Sequence, residues 1–311
     1  MKRDGYDPPT VAEIVSAQDE TDSLRLLLAQ RRFYSRAKRW AVARYSGLGG
    51  IALLAPIVTA ISSDLAVVAG AAAAVIFVLG RTLFLAMERR ASAKGAVVQE
   101  MFDMSVFGMP AVSAREVRVG PEQIARIVGN PKAAERAIRK MKLAGWYPLD
   151  SRLDGGDATA IAQRANAAYS QRLLALNAAI WLWIMVAWTA VAVALSIIFG
   201  FTLTVALLSV ALPVLPPLSD AFDELRRVHD AGKERSALAE EIEDTLNDPA
   251  IEHVDGDRLL TWQGQLFRLR RDAPQVPNLV YWVVRDVNER VMSEAARKLA
   301  EDVIKKGRAA K

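Results

Sequence analysis

The chemistry on offer in this chain lies in its arginines and aromatic rings. Towards the C-terminal end Trp262, Phe267, Tyr281 and Trp282 are interleaved with Arg268, Arg270, Arg271 and Arg285. Guanidinium groups present forked donors to phosphate and ring faces stack on bases, so this alternation suits a nucleotide or a single strand. Amphipathic packing of a helix uses the same residue types. A second basic run, Lys132, Arg136, Arg139, Lys140 and Lys142, fits a solvated or lipid-facing surface, or an anionic-ligand site. Asp64 and Arg81 stand beside or within apolar stretches, where they would mark the ends of a conduction path; a helix N-cap for Asp64 and snorkelling for Arg81 are the plainer roles.

Other chemistries lack material. Cysteine is absent, so disulfides, thiolate nucleophiles and thiolate metal sites are excluded, and either redox compartment is open. His229 and His253 are the only histidines, which leaves little for a metal cage or a Ser-His-Asp relay. No Gly-Lys-Ser/Thr follows a glycine-rich run, and no HExxH, paired CxxC or GxSxG occurs. No catalytic residue, metal or cofactor is expected, and the chain is not read as an enzyme.

The elements that must position these residues are set by hydropathy. Of the 311 residues 52% are hydrophobic, and the excess falls in two blocks. Residues 45–63 carry no charge and give roughly 28 Å of helix, close to a hydrocarbon core. A second span runs from Leu65 to about Met87, interrupted only by Arg81. Residues 173–219 are uncharged throughout, roughly 70 Å of helix and about twice one crossing, so two spans fold back there, with Gly200 as the reversal point and Pro213, Pro216 and Pro217 breaking the last span near its exit. The short links at Ser62-Ser63-Asp64 and Gly200 hold no Lys or Arg, whereas Arg36, Lys38, Arg39, Arg89 and Arg90 crowd the other ends, which puts both termini and the middle segment in the cytoplasm. No cleavable signal is evident, since the apolar run begins only near residue 45.

The expected fold class is therefore a mainly α membrane protein, with four transmembrane helices as two hairpins plus a helical or α+β cytoplasmic domain. Its divisions are an N-terminal cytoplasmic amphipathic helix (1–44), hairpin one (45–87), a middle domain (88–172), hairpin two (173–219) and a C-terminal helical region (220–311). Residues 8–44 read as one helix opened by a Thr10/Glu13 capping box. Residues 91–160 read as a compact mixed domain, with helices over about Glu122–Val128 and Lys132–Leu143, and Asp154 to Asp157 as a turn. Mixed charge at helical spacing makes 220–246 a long helix ended by Asn247-Asp248-Pro249, followed by helices from Gly256 to Arg271 and after the next proline turn.

In order along the chain, AQRRFYSRAKRW (29–40), VVQEMFDMSVFGMP (97–110), GWYP (145–148), IAQRANAAY (161–169) and WQGQLFRLRRDAPQVPNLVYWVVRD (262–286) frame a two-plus-two span layout. With them the chain resembles the SMODS-associated four-transmembrane effector family of bacterial anti-phage defence. The resemblance implies a pore-forming effector in the bacterial inner membrane, encoded beside a nucleotidyltransferase, controlled by that enzyme's cyclic or linear oligonucleotide, and stopping phage spread by abortive infection. It carries over no binding residues. Four helices at bundle spacing leave no water-filled path, so a pore requires several copies, expected as a cyclic homo-oligomer such as a tetramer. The competing readings are a membrane-anchored nucleotide sensor or scaffold without a pore, and a transporter or membrane enzyme. The last expects ionisable residues deep in the spans, and only Arg81 comes close.

Overall fold

The computed structural model describes residues 5–61, 63–111 and 117–307. Helices account for most of them, and no strand is formed among the described residues. The helices are α1 (Val11–Gln18), α2 (Thr21–Ile61), α3 (Ser63–Leu79), α4 (Leu85–Val106), α5 (Pro121–Val128), α6 (Pro131–Met141), α7 (Gly155–Ile198), α8 (Leu203–Val205), α9 (Leu212–Asn247), α10 (Gly256–Arg271) and α11 (Asn278–Lys305). Two π-helical turns, Gly80–Phe84 and Ala206–Ala211, join α3 to α4 and α8 to α9.

The frame is a pair of long helical hairpins. α2 reverses into α3–α4, and α7 reverses into α8–α9 through Gly200, whose φ of +59° lies in the left-handed region that glycine adopts without Cβ strain. Each hairpin has an apolar tip and an amphipathic stem. At the tip of the second, Trp183, Ile197, Ile198 and Leu203 are 70–76% exposed and have no protein cover. α7 is the one helix among the described residues that is long and apolar enough to cross a membrane. Around the stems α1, α5, α6, α10 and α11 close one core, with Leu28, Phe102, Ile161, Ile242 and Trp262 fully buried at its centre. α2, α7 and α9 each run unbroken from this core into a tip, so a shift of a stem is carried rigidly into the apolar half. At the change of environment Arg44 on α2 pairs with Glu88 on α4 at 3.0 Å, both buried.

Several local expectations change. The Thr10/Glu13 capping box forms, but 8–44 is two helices, broken at Asp19. The break is held from outside: Asp19 Oδ1 accepts from Gly145 N at 2.8 Å, and the Gln18 side chain bonds both backbone groups of Tyr147. The middle segment is helical where described, without the strands of the α+β alternative, because Ala91, Val98, Phe102 and Val106 form a buried helical stripe that prolongs α4. α7 begins inside the anticipated turn, where Asp154 Oδ2 accepts from Gly156 N at 3.0 Å. The prolines near the end of the second hairpin do not break it. They sit in the first turns of α9, directly after the π-helical stretch.

The N-terminal segment straps the core. Tyr6 donates to Phe107 O at 2.6 Å, and the carbonyls of Tyr6 and Pro9 lie where a Cβ on Gly256 or Gly155 would be, at the first residues of α10 and α7. Gly256→Ala is therefore expected to lower stability by about 1–3 kcal/mol through overpacking. Gly264→Ala on the same helix meets open space and should raise it by about 0.8–1 kcal/mol. Thermal unfolding of the two variants in detergent micelles, with opposite signs, checks this.

Candidate functional site

Between the two stems lies a cavity of about 420 Å³, within the roughly 300–1,000 Å³ of small-molecule sites. Both hairpins build its wall. α2 contributes Arg31, Tyr34 and Lys38, a three-then-four spacing that puts them on one helix face. α7 contributes Asn166 and Tyr169, α9 contributes Arg235 and α10 contributes Arg270. Trp146, on the segment after α6, and Tyr281 and Trp282, in the first turn of α11, complete it. Leu173 and Leu174, where the apolar run of α7 begins, also line it.

The charge balance is one-sided. Four cations and no carboxylate line this space. The Arg31 guanidinium sits 4.9 Å from the centre of the Tyr281 ring and 5.5 Å from that of Trp146, and donates to the Tyr281 hydroxyl at 2.5 Å. Its Nε has no partner among the described residues. Lys38 stands 5.8 Å from the Tyr281 ring, and burial together with the Arg31 charge brings its pKa down to about 8. Arg235 is buried and, among the described residues, donates to the backbone carbonyls of Ala231 and Leu269; burial lowers it to about 10. Arg270, 8% exposed, gives Nη1 to Asp103 Oδ2 at 2.5 Å, while its Nη2 has no partner among the described residues. Burial also lifts the Tyr34 hydroxyl above its ordinary range, so it stays a neutral donor, here to Gln99 Oε1 at 3.2 Å. A partly buried space with unpaired guanidinium donors, an ammonium and several ring faces can form charge-assisted hydrogen bonds to a phosphate group.

The residues singled out from the sequence are divided by the fold. Arg270 and Tyr281 meet in this cavity. Arg285 lines a second, adjoining cavity of about 370 Å³ that shares Trp146, Asn166, Tyr169 and Tyr281 with the first. Trp262 is sealed in the core with Nε1 donating to Glu241 at 2.8 Å, and offers no face to a ligand. Arg268 is exposed on the far side of α10, and Arg271 bonds Asp272 through two donors. Arg136, Arg139 and Lys140 are exposed on α6 and line neither cavity. Arg81 lies in the first π-turn and pairs with Asp220 of α9 at 3.2 Å, which ties the two hairpins together; the side chain of Asp64 lies outside the described residues. Arg31, Lys38 and Arg235 carry most of the uncompensated charge and were not among the residues the sequence pointed to as ligands. Arg31 and Lys38 belong to a basic stretch that suits lipid contact equally well, and Arg235 sits in a helix of mixed charge.

Comparison with known proteins bears on the whole of this architecture. No curated protein and no solved structure matches the chain. The family model described as SMODS-associating 4TM effector domain matches residues 12–299, which takes in both hairpins, the cavity and α1 to α11 almost to their ends. The chain therefore belongs to the SMODS-associating 4TM effector family of membrane proteins.

Proposed function

We propose that this protein is an oligomeric membrane pore of an anti-phage defence system, gated through its cytoplasmic stems by an oligonucleotide that a partner nucleotidyltransferase makes. The carrying observation is the cavity: Arg31, Lys38, Arg235 and Arg270 line it without a carboxylate, the first three from both hairpin stems and Arg270 from α10. An anion bound there touches α2, α7 and α9 at once, and these helices continue into the apolar tips. A ligand shifts a gating equilibrium only by preferring one state, and a site shared between two stems senses their separation. The four spans fill the centre of one protomer's bundle, so the conduction path runs between copies, as in a cyclic tetramer, with both termini on the cytoplasmic side of the inner membrane.

The test is ion flux from liposomes holding the purified chain, with and without the product of the cognate nucleotidyltransferase. Flux is expected to change on adding the product and to be absent from a chain lacking residues 45–87. Binding of the product is expected to weaken steeply with salt, as phosphate contacts do. Tight binding with no flux in either condition would make the protein a membrane-anchored sensor or scaffold and end the pore reading.

A further inference from the structure

The two adjoining cavities differ in chemistry. The first holds four cations, the second Lys142 and Arg285. The second, between the 142–149 segment, α7 and α11, is walled by Ile161, Ala162, Ala165 and Met292, with few polar groups among them. Of its two cations, Lys142 is exposed, and Arg285 donates to Met141 O at 2.9 Å and to Glu289 Oε1 at 2.5 Å, which fixes the end of α6 against α11. The uncharged polar groups there are Asn166, Ser293 and tyrosine hydroxyls. Asn166 uses Nδ2 on the Tyr147 hydroxyl at 2.9 Å, and nothing among the described residues donates to its Oδ1. Ser293 is exposed on α11, and the Glu289 carboxylate is half open to solvent. Trp146, Tyr169 and Tyr281 belong to both cavities, so ring faces stand at the junction.

We infer that the two cavities are one bipartite site: the cationic lobe takes the phosphate, and the apolar lobe takes the heterocyclic ring of the same ligand, stacked on the shared aromatics. This deepens the reading of the cationic cavity as the ligand site and rests on it. The ligand class it selects is a phosphorylated base with a hydrogen-bond donor edge, matched to Asn166 Oδ1, Ser293 and Glu289. Bare phosphate fills half of it. A lipid headgroup shares the phosphate chemistry but carries no ring for the second lobe.

The experiment is binding to the full chain in neutral detergent micelles, with inorganic pyrophosphate and with ADP, GDP, CDP and UDP as probes. At least one nucleoside diphosphate is expected to bind about tenfold or more tightly than pyrophosphate, the gain of one stacked base. Ser293→Trp fills the second lobe from an exposed position and should erase that gain. Lys38→Met should weaken every probe. If no nucleoside diphosphate improves on pyrophosphate, or Ser293→Trp leaves the gain intact, the bipartite site is wrong while the cationic cavity stands. If pyrophosphate binding ignores Lys38→Met, the cationic cavity itself falls. Displacement of pyrophosphate by added phosphatidylglycerol, with no preference for any nucleoside diphosphate, would assign the cavity to lipid and overturn the proposal.

Discussion

Lys38→Glu is expected to lower affinity for a nucleotide by about a hundredfold or more, because it removes a charge-assisted contact worth about 1.5–3 kcal/mol and places a carboxylate among the remaining cations' ligand oxygens. The native side chain should also give binding a pH dependence of defined sign. With a pKa near 8, Lys38 is charged below that pH and loses its proton above it. Proton and anion favour each other's binding, so affinity is highest below pH 8 and falls as pH rises through it. Lys38→Arg keeps its charge over this range and should remove the fall, which titration of both proteins from pH 6.5 to 9.5 would reveal as about a tenfold divergence. No change between the two profiles would show that Lys38 does not meet the ligand.

The same residue shows stability given up at a site. The folded pKa lies below the ordinary 10.5, so the unfolded chain binds the proton more tightly, and stability rises as pH climbs from about 8 towards 10.5. A neutral side chain at position 38 is therefore tolerated better by the fold than the charged lysine. A half-buried ammonium kept beside Arg31 with no acid partner among the described residues makes physical sense where an anion arrives to complete it.

What could be read in the sequence and what could not separate by range. Uncharged runs, the Gly200 reversal, the Thr10/Glu13 box and the C-terminal ends of α5, α9 and α10 depend on neighbours within a few residues, and each is where local chemistry places it. The break at Asp19 depends on Gly145 and Tyr147, far along the chain, and has no local signal. The cavity is of this second kind. It draws Arg31, Arg235 and Tyr281 from three different helices, and only packing reveals that they face one space. Trp262 and Trp146 illustrate the limit from the other side: both neighbour basic residues in sequence, yet one fills the core and the other lines the site. Side-chain type is the same in both roles; burial decides between them.

Asp103→Ala is expected to be the most damaging single substitution, at about 3–5 kcal/mol, because it leaves a buried guanidinium without its counter-charge. Asp103 is fully buried on α4 and accepts from the Tyr147 hydroxyl at 2.6 Å, from Gln263 Nε2 at 2.9 Å and from Arg270 Nη1 at 2.5 Å. It thereby fixes α10 and the 142–149 segment to α4, and it holds Arg270, whose Nη2 has no partner among the described residues, in the cavity wall. These two roles are separable. In Asp103→Ala the loss comes mostly from the orphaned Arg270, so Asp103→Ala with Arg270→Met should recover much of the unfolding midpoint in micelles. Nucleotide affinity should stay low in the double variant, because the cavity has lost a cation. Recovery of both stability and binding would place Arg270 outside the site and leave it as the internal half of an ion pair. Recovery of neither would mean that the Tyr147 and Gln263 bonds, rather than the charge, hold this part of the core.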